Sequence, residues 1–102
     1  MRYTHDGVVG EISNLPGTGQ ICVFHNVFVH QRLGLRGQGR GTAAHADRLR
    51  IAKELGYDMV HCVVDDANEA QQAILHRFGW MPGQECSSGK TGHLIRIWTK
   101  EL

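Results

Sequence analysis

The sequence predicts an α/β (α+β) domain: a mixed, mostly antiparallel central sheet carrying two main helices, in the order β-β-α-β-α-β-β. Three observations predict it. Apolar residues alternate over short stretches bounded by glycine, asparagine and proline, which marks strands and turns. Two longer stretches repeat their apolar residues at helical spacing, and each ends at a glycine. A strand–helix–strand succession in mid-chain needs a crossover, which sets one parallel pair inside a sheet otherwise built from hairpins.

Residues from about Gly7 to Ile12 alternate weakly, and Asn14-Leu-Pro-Gly17 turns the chain into a second strand from Gln20 to Val29. In a regular strand Ile21, Val23, His25, Val27 and Val29 share one face, and Cys22, Phe24, Asn26 and Phe28 the other. Both faces are mostly apolar, so the pattern predicts a central strand covered on both sides. The first helix runs from about Gly41 to Leu55. Ala46, Leu49 and Ala52, helped by Ile51 and Leu55, form its apolar stripe, while Asp47, Arg48, Arg50, Lys53 and Glu54 face water. Gly56 stops it.

Tyr57 to Val64 is the next strand. Asp65-Asp-Ala-Asn68 ends it and caps the second helix, and Asp66 with Glu69 has capping-box spacing. Ala70, Ala73, Ile74 and Phe78 form that helix's buried stripe, and Gly79 closes it. An extended segment begins at Trp80-Met-Pro82. Ser87 to Gly92 reads as a hairpin turn, and His93 to Trp98 as the last strand, with Ile95 and Ile97 on one face.

Composition bounds the function. The chain of 102 residues is expected to form one domain, 1–102, large enough to bury a core without staples. A net charge of +1 argues against a general nucleic-acid or membrane-surface binder. No apolar run reaches the length of a bilayer span and no signal-peptide region opens the chain, so a cytoplasmic location is expected. Cys22, Cys62 and Cys86 are odd in number and widely spaced, as reduced thiols are. The seven histidines are the one oddity. Cys22-x-x-His25 with His30 lacks a second ligand pair, and neighbours His61 and Cys62 point to opposite faces of a strand, so no metal is expected.

The chemistry concentrates in Val27-Phe-Val-His-Gln-Arg-Leu-Gly-Leu-Arg36-Gly-Gln-Gly39-Arg-Gly41-Thr42. An apolar strand stops, glycines recur at 34, 37, 39 and 41, arginines at 32, 36 and 40, and a helix starts at once. Glycines let backbone N–H groups approach an anion closely, and a helix start adds free donors and the positive end of its dipole. Arginines add planar charged donors suited to phosphate oxygens. The stretch is a phosphate cradle. Two familiar phosphate motifs do not fit. The dinucleotide fingerprint has the wrong spacing here. At Ser87-Ser-Gly-Lys-Thr91 the glycines Gly83 and Gly89 enclose five residues where a P-loop has four, and a strand follows instead of a helix.

Arg36-x-x-Gly39-x-Gly41 resembles the Q/R-x-x-G-x-G/A acyl-CoA pyrophosphate loop of the GNAT superfamily of N-acetyltransferases. The resemblance continues through the helix ending at Gly56, the strand over Met59 to Val64, and Asn68 with Ala70 through Phe78-Gly79-Trp80, which is similar to the family's second motif. It covers roughly Cys22 to Met81. It implies a GNAT-like sheet with a splayed parallel strand pair, and acetyl-CoA as cosubstrate. The pyrophosphate would be held by Arg36, Gly37, Gln38, Gly39, Arg40, Gly41 and Thr42, and the pantetheine and thioester by the backbone of Val27, Phe28 and Val29. Asn68 would lie beside the pantetheine arm, as a helix cap, or as both. The implied reaction is acetyl transfer to a primary amine of a peptide, protein or small molecule, by direct attack in a ternary complex.

The chain also departs from the family. Arg40 replaces a usual aliphatic residue and Ala44-His45 a usual leucine pair, so either the helix start packs loosely or Arg40 reaches the ligand. The family's glutamate base falls near Val23, which cannot take a proton. His25, of the same strand parity, is the candidate base, with Glu11 on the neighbouring strand as substitute. The family's tyrosine acid falls at Leu75. A strand and two helices that precede the hairpin in the family have no room here, which leaves an open acceptor face for a peptide, a protein or a second subunit in a homodimer. The alternative reading is a non-catalytic acyl-CoA-binding or protein-interaction module on the same fold.

Overall fold

The computed structural model describes residues 1–5, 8–29 and 40–102, with the backbone alone at residues 5, 26–29 and 40. Its elements are β1 (Arg2–His5), β2 (Val8–Asn14), β3 (Ile21–Val29), α1 (Arg40–Glu54), β4 (Met59–Asp65), α2 (Glu69–Arg77), β5 (Met81–Ser87) and β6 (Leu94–Glu101). One sheet joins the strands in the order β1-β2-β3-β4-β6-β5. Only β3 and β4 are parallel; the other neighbours are antiparallel. This is the mixed sheet with two helices that the sequence predicts, with one strand added at its start. Four residues with Tyr3 as the single large apolar side chain are too few to show alternation.

The core forms on one face of the sheet. The register sets Ile12, Phe24, Cys62 and Trp98 side by side across four strands. Cys22, Val60, Val64 and Trp80 join them, and Ala52 of α1 and Leu75 of α2 close the same cluster from above. Both helices therefore lie on this face, as two right-handed crossovers running the same way across a sheet require. The expectation that β3 is covered on both sides is not met. Its other face, with Ile21, Val23 and His25, is half-exposed, and next to it Val63 and Ile97 are 55% and 44% exposed.

The helices turn inward partly at the positions predicted: Ala52 is buried, and Leu49, Ile51 and Phe78 pack partly buried against the core, as expected. On α1 the buried residues are Ala44, His45, Arg48 and Ala52, while Ala46 and Leu55 are exposed. The series 44, 48, 52 repeats every fourth residue as regularly as the apolar stripe does, and the alanines at its ends leave room for a long side chain between them. On α2 Leu75 is fully buried, Ile74 and Phe78 are partly buried, and Ala70 and Ala73 face solvent. Nor is α2 capped by the Asp66–Glu69 box. Asn68 is its N-cap and accepts from the Gln71 N–H at 3.1 Å, while Asp65 accepts from the Ala67 N–H at 2.8 Å.

Helix ends and turns follow the expectation. Gly56 and Gly79 take φ of +91° and +81° just past α1 and α2, where a side chain would be strained. The Ser87–Gly92 segment joins β5 to β6, with the Gly92 N–H donating to the Ser88 carbonyl at 2.9 Å. β5 is an edge strand, exposed throughout, with Pro82 in it and a register shift between Pro82 and Glu85. No helix among the described residues is long and apolar enough to cross a membrane.

β1 ties the sheet to α1. The Tyr3 ring packs with Val8 and Ala44, and its hydroxyl donates to the Ala44 carbonyl at 2.8 Å and to Asp47 Oδ2 at 3.2 Å. Removing the hydroxyl while keeping the ring deletes the bond that ties β1 to α1. Tyr3→Phe is expected to cost about 1–2 kcal/mol, read as a lower urea midpoint with an unchanged slope. An unchanged midpoint would show that this tie does not stabilise the fold.

Candidate functional site

The parallel ladder between β3 and β4 is short. It runs from Ile21–Met59 to Phe24–Cys62 and stops. β3 continues to Val29, held by β2 through Val9–Phe28 and Val8–Val29, and β4 continues to Asp65, held by β6 through Val63–Ile97 and Asp65–Ile95. The two strands part beyond Phe24 and Cys62, as the splayed pair implied. The cause lies in β2 and β3. Between the Glu11–His25 and Val9–Phe28 pairs, three steps of β3 match two of β2, so β3 carries an extra residue and bends. The alternation of faces expected for β3 holds from Ile21 to His25.

A cavity of about 150 Å³ occupies the wedge. Phe24 and Cys62 form its closed end, His25 lies on the β3 side, and Val63, Val64 and Asp65 lie on the β4 side. Asn68, the N-cap of α2, and Gln71 of α2 line it too, as do His45 and Arg48 of α1. This is the C-terminal end of a parallel pair, next to two helix starts, where open α/β sheets bind ligands.

Arg48 is 3% exposed. Its Nη2 donates to the carbonyls of Glu11 and His25, the residues that flank the extra residue of β3. The guanidinium carbon lies 4.2 Å from the Phe24 ring centroid, a cation–π distance. Burial pulls its pKa down to about 10, which still leaves it charged at neutral pH. His45 sits among Phe24, Phe78 and Trp80, with the Phe78 ring 5.0 Å away, and its Nε2 accepts from Trp80 Nε1 at 2.9 Å. Burial, then the neighbouring charges of Arg48 and Lys100, lower its pKa to about 4. The ring is neutral, and with Nε2 accepting, its proton is on Nδ1. Sequence reasoning missed both residues, taking Arg48 for a solvated charge. The signal was their three-residue spacing on a helix whose neighbouring positions are alanine.

His25 and Glu11, the candidate base and its substitute, are brought together. His25 Nε2 is 2.7 Å from Ser13 Oγ and 3.5 Å from Glu11 Oε2, on the sheet face opposite the helices, and His25 also lines the wedge. Asn68 caps α2 and lines the cavity, so its two expected roles coexist. Arg40, Gly41 and Thr42 start α1, where backbone N–H groups have no helical partner. Arg36, Gly37, Gln38 and Gly39 lie outside the described residues, and Val27, Phe28 and Val29 are described as backbone of β3. Leu75 is a core residue, and His76 stands edge-on to Trp98 with ring centroids 4.9 Å apart. A second histidine–carboxylate pair, His93 Nδ1 to Asp65 Oδ2 at 2.8 Å, was not anticipated. No group of three or more His, Cys, Asp or Glu side chains converges among the described residues.

An acetyltransferase-named protein from Salmonella typhimurium, solved with its cofactor acetyl-CoA, superposes with a TM-score of 0.79 over 94% of this chain at 14% identity. A GCN5-related N-acetyltransferase from Kribbella flavida gives 0.79 over 93% at 17% identity, and the ribosomal-protein-S18-alanine N-acetyltransferase from Escherichia coli 0.75 over 96% at 14%. The chain has the GNAT fold. It spans 58%, 60% and 64% of the lengths of those three proteins. No protein-family model and no curated protein sequence matches it.

The low pKa of His45 links protonation to stability. The unfolded chain takes up this proton near pH 6.5, the folded chain only near pH 4. Stability is therefore whole above about pH 6.5, falls as pH drops toward 4, and levels off below, a loss of about 3 kcal/mol in all. His45→Gln keeps an acceptor for Trp80 but does not titrate. Urea unfolding across this range is expected to show a shallower fall in the variant, and equal slopes would remove His45 as the cause.

Proposed function

We propose that the chain is an acetyl-CoA-dependent N-acetyltransferase acting on a primary amine of a peptide, protein or small molecule, by direct attack in a ternary complex. The observation that carries this reading is the parting of β3 from β4 beyond Phe24 and Cys62, with a cavity between them. Strand edges that leave their ladder offer N–H and C=O groups to an extended amide-bearing ligand, and the pantetheine arm of coenzyme A is one. Under this reading the backbone of Val27, Phe28 and Val29 binds the arm and meets the thioester carbonyl, a kind of contact worth about 10²–10³-fold per donor. Arg36 to Thr42 and the start of α1 hold the pyrophosphate. Asn68 stands at the arm's side.

The coenzyme, when bound, supplies an activated acyl group. The chain's own part is to orient it and to take a proton from the amine. His25 is suited to that: it reaches the wedge from the open sheet face, with Glu11 Oε2 3.5 Å from its Nε2. As the amide forms, the proton passes to His25 and the departing thiolate takes one from water. An amine on the open face would thus meet an acyl group held from the helix side.

Leu75 favours a second reading, a non-catalytic acyl-CoA-binding or protein-interaction module. The residue at the place of the family's proton donor is apolar and fully buried.

Titration calorimetry with acetyl-CoA is expected to show binding that Arg36→Ala weakens about tenfold to a hundredfold; no binding by the intact protein would sink both readings. Release of free coenzyme A over a panel of amines separates them. Turnover on some acceptor is expected, and tight binding without turnover on any would leave the module. His25→Gln is expected to slow that release by about 10²-fold or more with acetyl-CoA affinity retained. A variant as fast as the parent would take His25 out of the reaction.

A further inference from the structure

The geometry points to a carboxylate-binding subsite at the closed end of the wedge, built on Arg48 with His45, so that the site accepts acyl-CoA thioesters whose acyl chain ends in a carboxylate. This rests on the wedge being the coenzyme site.

Arg48 is a full cation inside the core, and the described residues around it do not balance its charge. Among the described residues the titratable groups bearing on it are Tyr3, Cys22, Cys62 and His45, all neutral at neutral pH, and none of these is a carboxylate. Of the five N–H donors of a guanidinium, the two on Nη2 meet the Glu11 and His25 carbonyls. Its Nε is buried without a partner among the described residues. Carbonyl dipoles satisfy hydrogen bonds but bring no negative charge, and an uncompensated buried cation is costly to keep. The charge borders a cavity, not a packed wall.

Position and size agree. Arg48 lies against Phe24, at the end of the wedge where the strands are still paired, which is the end an acyl group reaches when the arm enters from the mouth. The cavity of about 150 Å³ is comparable to one that takes up benzene, more than a two-carbon acetyl group fills. His45 adds a neutral donor, since Trp80 holds its Nε2 and its proton is on Nδ1. A planar guanidinium beside a neutral imidazole is a donor set for a carboxylate, whereas an uncharged alkyl end would bury the cation with nothing to offset it.

Calorimetry on the whole chain with free coenzyme A, acetyl-CoA, butyryl-CoA and succinyl-CoA tests this without any variant. Butyryl and succinyl groups share a four-carbon chain and differ in the terminal carboxylate. Succinyl-CoA is expected to bind about tenfold or more tighter than butyryl-CoA. The ratio of succinyl-CoA to butyryl-CoA affinity is expected to fall to about one in Arg48→Met, whatever that variant does to the affinity for free coenzyme A. Equal or tighter binding of butyryl-CoA, with free coenzyme A still bound, would overturn the subsite and leave the coenzyme site standing. Failure of free coenzyme A to bind would overturn the site and the subsite together. Should Arg48→Met not fold, as its melting curve would reveal, the comparison of the four ligands on the parent protein decides alone.

Discussion

The carbonyls of Glu11 and His25 flank the extra residue of β3, and one guanidinium from α1 donates to both. The irregular stretch is thereby bound to the helix that crosses above it. Because β3 bends there, it follows β2 and leaves β4, while β4 stays with β6. The opening between them is thus a consequence of one crowded strand position and the side chain that satisfies its backbone. Phe24 stacks on the same guanidinium, so the bend, the core and the floor of the wedge share one residue. A substitution at Arg48 acts on all three.

Placing both helices on one side gives the two faces of the sheet different work. The covered face holds the aromatic box around His45, which is dry enough to keep an imidazole neutral. The opposite face holds His25 with Glu11 and Ser13, partly open to water. The wedge connects the two.

Much of this was legible in the residues. Gly56 and Gly79 marked helix ends because little else tolerates a left-handed backbone there, and Ser87 to Gly92 declared a hairpin by its turn chemistry. The strand–helix–strand order fixed the parallel pair. What escaped notice did so for identifiable reasons. β1 is too short to alternate, and its value lies in Tyr3 meeting a helix forty-one positions away. Arg48 looked solvated because charge usually is; its partners, the bulge carbonyls and the Phe24 ring, are tertiary features that spacing along the chain does not show. Asn68 outcompeted Asp66 as the cap because Asp65 engages the Ala67 amide and the chain turns once more before the helix starts.

The rims of the sheet carry a consequence of their own. One outer strand is four residues long, and the other contains Pro82 and a break in register before Glu85. Neither offers the long, flat ladder that recruits another chain and seeds fibrils. Self-association by extending the sheet sideways is thereby discouraged at both margins. Any copy or partner that docks on the open side, near Val63 and Ile97, must come down flat onto side chains instead of zipping along a backbone.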